Sequence, residues 1–308
     1  MNDRRKILVP LDGSTFSEAA LPAAATIADR LAADIELLTV TPGPADWGVE
    51  ALVDAFGPSE DFNGWIEGYL EARSSDLAEV CNRAVSYNVR TGVPRDTLLE
   101  YACEAEPTAL VMATHGRGPV TRAWLGSVAE TVVREGPAPT VLVRPNDDGG
   151  SVPELTSIPD FDRIVVPVDG SGQGRETLRW AMRLGSHGTS YCLVQVVAIP
   201  IAQAAGPMVS AVEWLPGLLE AARAEAQAHL TEVTEPFRER GMNVHTEVVQ
   251  DGPPASGILQ FAEDRHADLI AIGTHGRGGL SRAVLGSVAD KVVRGAHCPV
   301  LVVPRADD

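Results

Sequence analysis

Short apolar runs alternate along this chain with longer stretches whose apolar positions recur at helical spacing. Ile7–Leu11 reads as a strand. From Ser17 to Leu31 a helix is predicted by Leu21, Ala24, Ile27, Ala28 and Leu31, with Pro22 distorting its first turns. Ile35–Val40 is the next strand, followed by a long polar loop and a helix ending near Ala84. A strand over Val85–Val89, a helix over Thr97–Ala105, a strand over Leu110–Ala113, a helix over Ser127–Arg134 and a strand over Thr140–Val143 follow. Beyond residue 160 the same order returns, with strands expected at Ile164–Val168, Cys192–Val197, Val244–Val248, Leu269–Ile272 and Val300–Val303. Strands that are apolar on both faces and alternate with helices predict parallel sheets covered by helices on each side.

The return is literal. Lys6–Ser14 reappears as Arg163–Ser171, Thr114–Gly118 as Thr274–Gly278, and Leu125–Ala129 as Leu285–Ala289. A whole domain has been duplicated rather than a short solenoid unit. The expected organisation is two doubly wound, Rossmann-like domains with five-stranded parallel sheets, at 1–145 and 162–308. An Asp-, Gly-, Ser- and Pro-rich linker at 146–161 joins them. Thr140–Val143 and Val300–Val303 are short apolar edge strands that would aggregate if left open.

A length of 308 residues suits two domains. The net charge of −17 argues against a sequence-independent grip on a nucleic-acid backbone. Cys81, Cys103, Cys192 and Cys298 show no metal or redox spacing and read as buried small hydrophobes in a reducing compartment. The basic first residues run straight into a strand, no signal-peptide core is visible, and no apolar stretch is long enough to span a bilayer. A cytoplasmic protein is expected.

In open α/β sheets, ligands bind at the carboxyl ends of the strands near the switch in strand order. Gly273-x-x-Gly276, then nine residues, then Gly286-Ser287, lies at such an end. Glycine after a strand lets backbone approach a ligand, and Gly286-Ser287 opens a helix whose free N–H groups suit phosphate oxygens. With the chain so acidic, the positive field there comes from oriented amides and from Arg277 and Arg282, or Arg117 and Arg122 in the first half.

This glycine spacing, together with V-P-x-D-G-S, T-H-G-R-G, L-G-S-V-A and C-P-V-L-V-V, resembles the ATP-binding signature of the universal stress protein family. The resemblance covers nearly the whole chain as two tandem domains and implies an adenine-nucleotide alpha-hydrolase-like fold. It implies that Asp169 lies by the nucleoside, Val196 reads the adenine edge through its backbone, and Gly273 lies under the ribose. His275, Gly276, Gly286, Ser287 and Val288 would surround the phosphates, with Pro167 and Ile272 completing the site. The matching first-half positions are Pro10, Asp12, Val40, Met112, Ala113, His115, Gly116, Gly126, Ser127 and Val128. Ala113 departs from the pattern, placing a methyl group where close backbone approach is expected, so the second half is the stronger site.

Simpler roles compete for these residues. Ser127-x-x-Glu130 is a capping box and Ser287-x-x-Asp290 a near version of one. Asp12, Asp169, Gly13 and Gly170 suit a turn leaving a strand, and His115 and His275 suit local hydrogen bonds. The remaining histidines show no ligand spacing. Gly170-Ser171-Gly172-Gln173-Gly174 imitates a dinucleotide loop, but Arg175 stands where its third glycine belongs. No P-loop, nucleophile elbow or H-E-x-x-H is present. The leading reading is a stress-response module that binds ATP, with or without Mg²⁺, and is read by a protein partner. Its lids would be the loops Pro42 to Trp65 and Ala198 to Trp214. The alternatives are a slow ATPase and a dimerising structural protein with an empty cleft. Edge-strand pairing would build a homodimer or an internal pseudo-dimer.

Overall fold

The computed structural model describes residues 5–41, 62–115, 125–145, 155, 160–197, 215–250, 252–274 and 285–305. The first lobe contains β1 (Lys6–Pro10), α1 (Thr15–Glu18), α2 (Leu21–Leu31), β2 (Asp34–Thr41), α3 (Phe62–Val80) and β3 (Val85–Thr91). It continues with α4 (Pro94–Ala105), β4 (Ala109–Ala113), α5 (Ser127–Glu135) and β5 (Thr140–Val143). The second lobe contains β6 (Arg163–Pro167), α6 (Gln173–Leu184), β7 (Ser190–Val196), α7 (Leu215–Arg238), β8 (Val244–Val249), α8 (Pro254–Asp264), β9 (Leu269–Gly273), α9 (Ser287–Gly295) and β10 (Val300–Val303). Every strand expected from hydrophobic pattern is present. The helix expected over Ser17–Leu31 is two helices, and Pro22 lies in the first turn of the second, where its missing N–H costs nothing. The first expected lid ends sooner than its sequence suggests, because Phe62 to Trp65 already belong to α3.

Within each lobe all strand pairs are parallel, in the orders β3-β2-β1-β4-β5 and β8-β7-β6-β9-β10. The two sheets continue into one ten-stranded sheet through a single antiparallel pair, β5 with β10, in the register Val300↔Leu142, Leu301↔Val141 and Val302↔Thr140. The two edges that would invite aggregation therefore cover each other.

Alternation along the strands sends Ile7, Val9, Val111, Leu269 and Ala271 to the face carrying α2, α3, α6 and α7. Leu8, Leu110, Ile270 and Val300 go to the face carrying α4, α5, α8 and α9. Both apolar layers run through both lobes. On the first face α2 packs against α6 across the junction, and Ala23, Ala24, Ala25 and Ala28 are all buried. Small side chains permit that close approach. On the second face Arg294 joins Glu130 at 3.7 Å, and Arg144 donates to the Ala296 carbonyl at 3.1 Å. Phe161, the last residue of the sequence-read linker, is fully buried, and neighbouring Asp160 binds Arg30 at 2.6 Å.

Three of the cysteines are buried as expected, but Cys103 on α4 is exposed. Burial, and then Asp268, push the Cys298 thiol up to about 12.

Candidate functional site

Because strands within a lobe are parallel, their carboxyl ends gather on one edge. The strand order switches between β1 and β4 in the first lobe and between β6 and β9 in the second. Pro10 ends β1 and Pro167 ends β6, each followed by a turn built on aspartate. The Asp12 carboxylate accepts the Ser14 N–H at 3.0 Å and the Ser14 hydroxyl at 2.5 Å. Asp169 likewise accepts the Ser171 N–H at 3.0 Å. Gly13 (φ 78°) and Gly170 (φ 84°) take the left-handed conformation the turn requires. Both aspartates thus fill the turn role, and the turn holds them at the switch point.

Val40 and Val196 lie at the carboxyl ends of β2 and β7, half-buried against the second-face core. Met112 and Ile272 are buried members of that core, so their side chains serve packing. The next residues, Ala113 and Gly273, alternate to the opposite face, which carries α1 and α6.

The two lobes converge most closely at the openings of α5 and α9. The Gly126 N–H donates to the Thr114 carbonyl at 2.8 Å, and the Gly286 N–H to the Thr274 carbonyl at 2.8 Å. A Cβ on Gly126 would stand 3.2 Å from that carbonyl oxygen, and one on Gly286 3.1 Å from its counterpart. Glycine is thus demanded by close backbone approach between loop and strand end. Here the capping-box reading is corrected. Gly126 and Gly286 are the N-caps, without a side-chain capping bond, and Ser127 and Ser287 are the first helical residues. The reason is where the helical ladder starts: the N–H groups of Glu130 and Asp290 bond to the carbonyls of Gly126 and Gly286. Glu130 and Asp290 pair instead with Arg134 at 2.8 Å and Arg294 at 3.0 Å. Ser127 and Ser287 are exposed, and Val128 and Val288 half-buried. The first-turn amides of two helices, each nine residues long, thus open at the carboxyl ends of β4 and β9 without a side-chain cap.

His115 sits beside this opening with Nδ1 2.8 Å from the Thr114 hydroxyl. Gly116, His275 and Gly276 lie outside the described residues, as do most of the first expected lid and all of the second.

Two features escaped sequence reasoning. Under the first-lobe site Glu18 is buried and paired with Arg73 at 3.3 Å, and Tyr69 lies beside it. Burial and the Glu18 charge push the Tyr69 phenol above its ordinary pKa. The signal for that pair was a carboxylate directly preceding the apolar run Ala19–Leu21. In the second lobe the corresponding Arg175 is exposed and paired with Glu232 at 3.1 Å. The second missed feature is Gln173, whose Nε2 donates to the Val303 carbonyl at 2.9 Å and whose carboxamide fills the space beside Gly273. It belongs to the glycine-rich decoy. There Gly174 brings α6 onto β6, since a Cβ would stand 2.7 Å from the Val168 side chain.

Among the described residues no helix is long and apolar enough to cross a membrane, and no three His, Cys, Asp or Glu gather as a metal site.

A model of the Universal stress protein family matches the chain twice, over residues 3–144 and 160–304. A universal stress protein of Methanocaldococcus jannaschii is 37% identical over 147 residues, which cover 47% of this chain and 83% of that protein. Another, from Mycobacterium tuberculosis, is 28% identical over 316 residues covering 96% of each chain. A solved universal stress protein structure from Archaeoglobus fulgidus shares the fold, with a TM-score of 0.70 over 99% of this chain and 100% of that one at 19% identity.

Proposed function

The chain belongs to the universal stress protein family in both of its halves, and on that premise we propose that it is an adenine-nucleotide-binding regulatory module whose ligand is ATP. The observation that carries this reading is the pair of uncapped helix openings at Gly126-Ser127 and Gly286-Ser287, set at the strand ends beside the switch points. Amide donors and the positive end of a helix suit an anionic tail. In a chain of net charge −17 the oriented backbone supplies the attraction that the overall charge does not. Asp12 and Asp169 follow β1 and β6, the strands that neighbour β4 and β9 across each switch point. A carboxylate repels phosphate and accepts hydrogen bonds from hydroxyl or amino groups. The pocket is therefore polarised, with phosphates toward α5 or α9 and the nucleoside toward the aspartate.

Mg²⁺ would arrive on the phosphates. ATP supplies charge and binding energy that favour one arrangement of the surrounding loops, and a protein partner reads that arrangement. A ligand shifts such an equilibrium only by its differential affinity for the two arrangements.

Calorimetric titration of the full chain with ATP, ADP and AMP tests the reading. Gly286→Val places a branched side chain where a single Cβ already stands 3.1 Å from the Thr274 carbonyl. It is expected to weaken binding at the second lobe at least about tenfold, ~1.4 kcal/mol, and Gly126→Val to do the same at the first. Hydrogen exchange in residues 42–65 and 198–214 should slow on saturation with ATP. Absence of heat with every adenylate would end the proposal.

A further inference from the structure

The two halves part company at the ends of their last strands. The first leaves β5 as Val143-Arg144-Pro145, the second leaves β10 as Val303-Pro304-Arg305. The register is the same in both, with Ala113 facing Val143 and Gly273 facing Val303. The Val143 carbonyl accepts the Thr114 N–H at 2.9 Å, and the Val303 carbonyl accepts the Thr274 N–H at 3.0 Å. The Thr114 carbonyl in turn accepts the Gly126 N–H at 2.8 Å, so Arg144 adjoins the backbone run that sets the opening of α5. At the equivalent place in the second lobe stands an uncharged proline, and Arg305, one position on, is exposed.

The Arg144 side chain crosses the junction between the lobes. Its Nη1 donates at 3.1 Å to the carbonyl of Ala296, the C-cap of α9. Two residues earlier, Arg294 meets Glu130 of the first turn of α5 at 3.7 Å. The last turn of the second-lobe helix thus lies against the first turn of the first-lobe helix, and the guanidinium is braced there. Its charge is felt at His115, whose pKa is lowered by burial and then by Arg144. The His115 Cα stands 3.9 Å from the point that a Cβ on Gly126 would occupy. His115 is thereby kept neutral at neutral pH, while Arg134 and Arg294 are engaged by Glu130 and Asp290. Among the described residues Arg144 is the cation that distinguishes this opening from its counterpart.

We propose that Arg144 sets the charge specificity of the first lobe: braced on the second lobe, its guanidinium favours the longer phosphate chain at the α5 opening, so the first lobe separates ATP from AMP more sharply than the second does. The proposal rests on the nucleotide-binding reading above and deepens it. A fixed cation attracts each added phosphate charge, whereas the amides of a helix opening give both lobes the same base attraction. The effect is one of charge at a distance and needs no release of the Ala296 carbonyl. Arg144 is half-buried, so salt screens it less than an exposed arginine. Its anchoring before a ligand arrives limits the ordering cost of binding.

The test follows the backbone amide resonances of Ser127 and Ser287 in the full-length protein during titration with ATP and with AMP, which reads the two lobes separately. The ATP-to-AMP affinity ratio should be at least about threefold larger at Ser127 than at Ser287. Arg144→Gln should erase that difference and leave the ratio at Ser287 within about twofold of its original value, while Arg144→Lys should keep most of the difference. A ratio at Ser127 that Arg144→Gln leaves unchanged overturns the proposal. So does a lysine variant that behaves like the glutamine one, since a charge effect survives that exchange and a purely structural brace does not. Should Arg144→Gln fail to fold, Pro304→Arg supplies the reverse test. A cation added beside the α9 opening should raise the ratio at Ser287 at least about twofold, and no rise overturns the proposal. No response of either amide to any adenylate in the unmodified protein instead overturns the nucleotide reading on which it rests.

Discussion

His115 marks how finely a single residue depends on its surroundings. Nδ1 is held by Thr114 at 2.8 Å, while Nε2 is buried without a hydrogen-bond partner among the described residues. Burial, and then the charge of Arg144, place its pKa below the ordinary histidine value of 6.5. Between the lowered and the ordinary value the unfolded chain binds a proton that the folded chain does not. The contribution of His115 to stability is therefore complete above pH 6.5 and is lost as pH falls toward the lowered value. Urea denaturation between about pH 7.5 and about pH 5.5 should show a steeper loss for the parent protein than for His115→Gln. Parallel profiles would remove the role. That His115 makes a local hydrogen bond was legible in the sequence, while its partner Thr114 came from the structure. The orphaned Nε2 was not legible, because its burial depends on how the chain around it packs.

At the scale of elements, the strands were legible from their apolar runs and the helices from periodicity, with errors at the boundaries. The capping serines failed for a local reason: whichever carbonyl accepts the first intrahelical bond defines the cap, and here it belongs to the preceding glycine. The edge strands β5 and β10 were recognisable as hazards, and their antiparallel pairing removes both. Leu301 in β10 faces Ala271 of β9 on one side and Val141 of β5 on the other, so it sits in a strand paired on both edges. Leu301→Pro deletes a backbone donor and distorts the ladder, and is expected to cost ~3 kcal/mol or more. It should also release two sticky edges. Urea denaturation measures the loss, and light scattering the concentration-dependent association. Unchanged stability would mean that the β5–β10 pair does not hold the lobes together.

For the whole molecule, both apolar layers run through the two lobes without a break. Helix α2 is buried over most of its surface, since it touches its own sheet on one side and α6 of the other lobe on another. A lobe that unfolded alone would strip the other of packing partners and expose the edge of its sheet. One cooperative thermal transition is therefore expected, with calorimetric and van't Hoff enthalpies in agreement. Two resolved transitions in scanning calorimetry would show that the lobes are energetically independent despite their shared sheet.

The chain by itself determined the order of strands and helices, the duplication, and the placing of aspartates and glycines at strand ends. These follow from periodicity and turn chemistry, which act over a few residues. Only the tertiary structure decided that the two sheets fuse through β5 and β10, that α2 and α6 bury each other, and that Gln173 occupies the space Gly273 leaves. Each of these joins residues separated by long stretches of chain. Spacing along a sequence says which face a side chain presents, and packing alone says what meets it there.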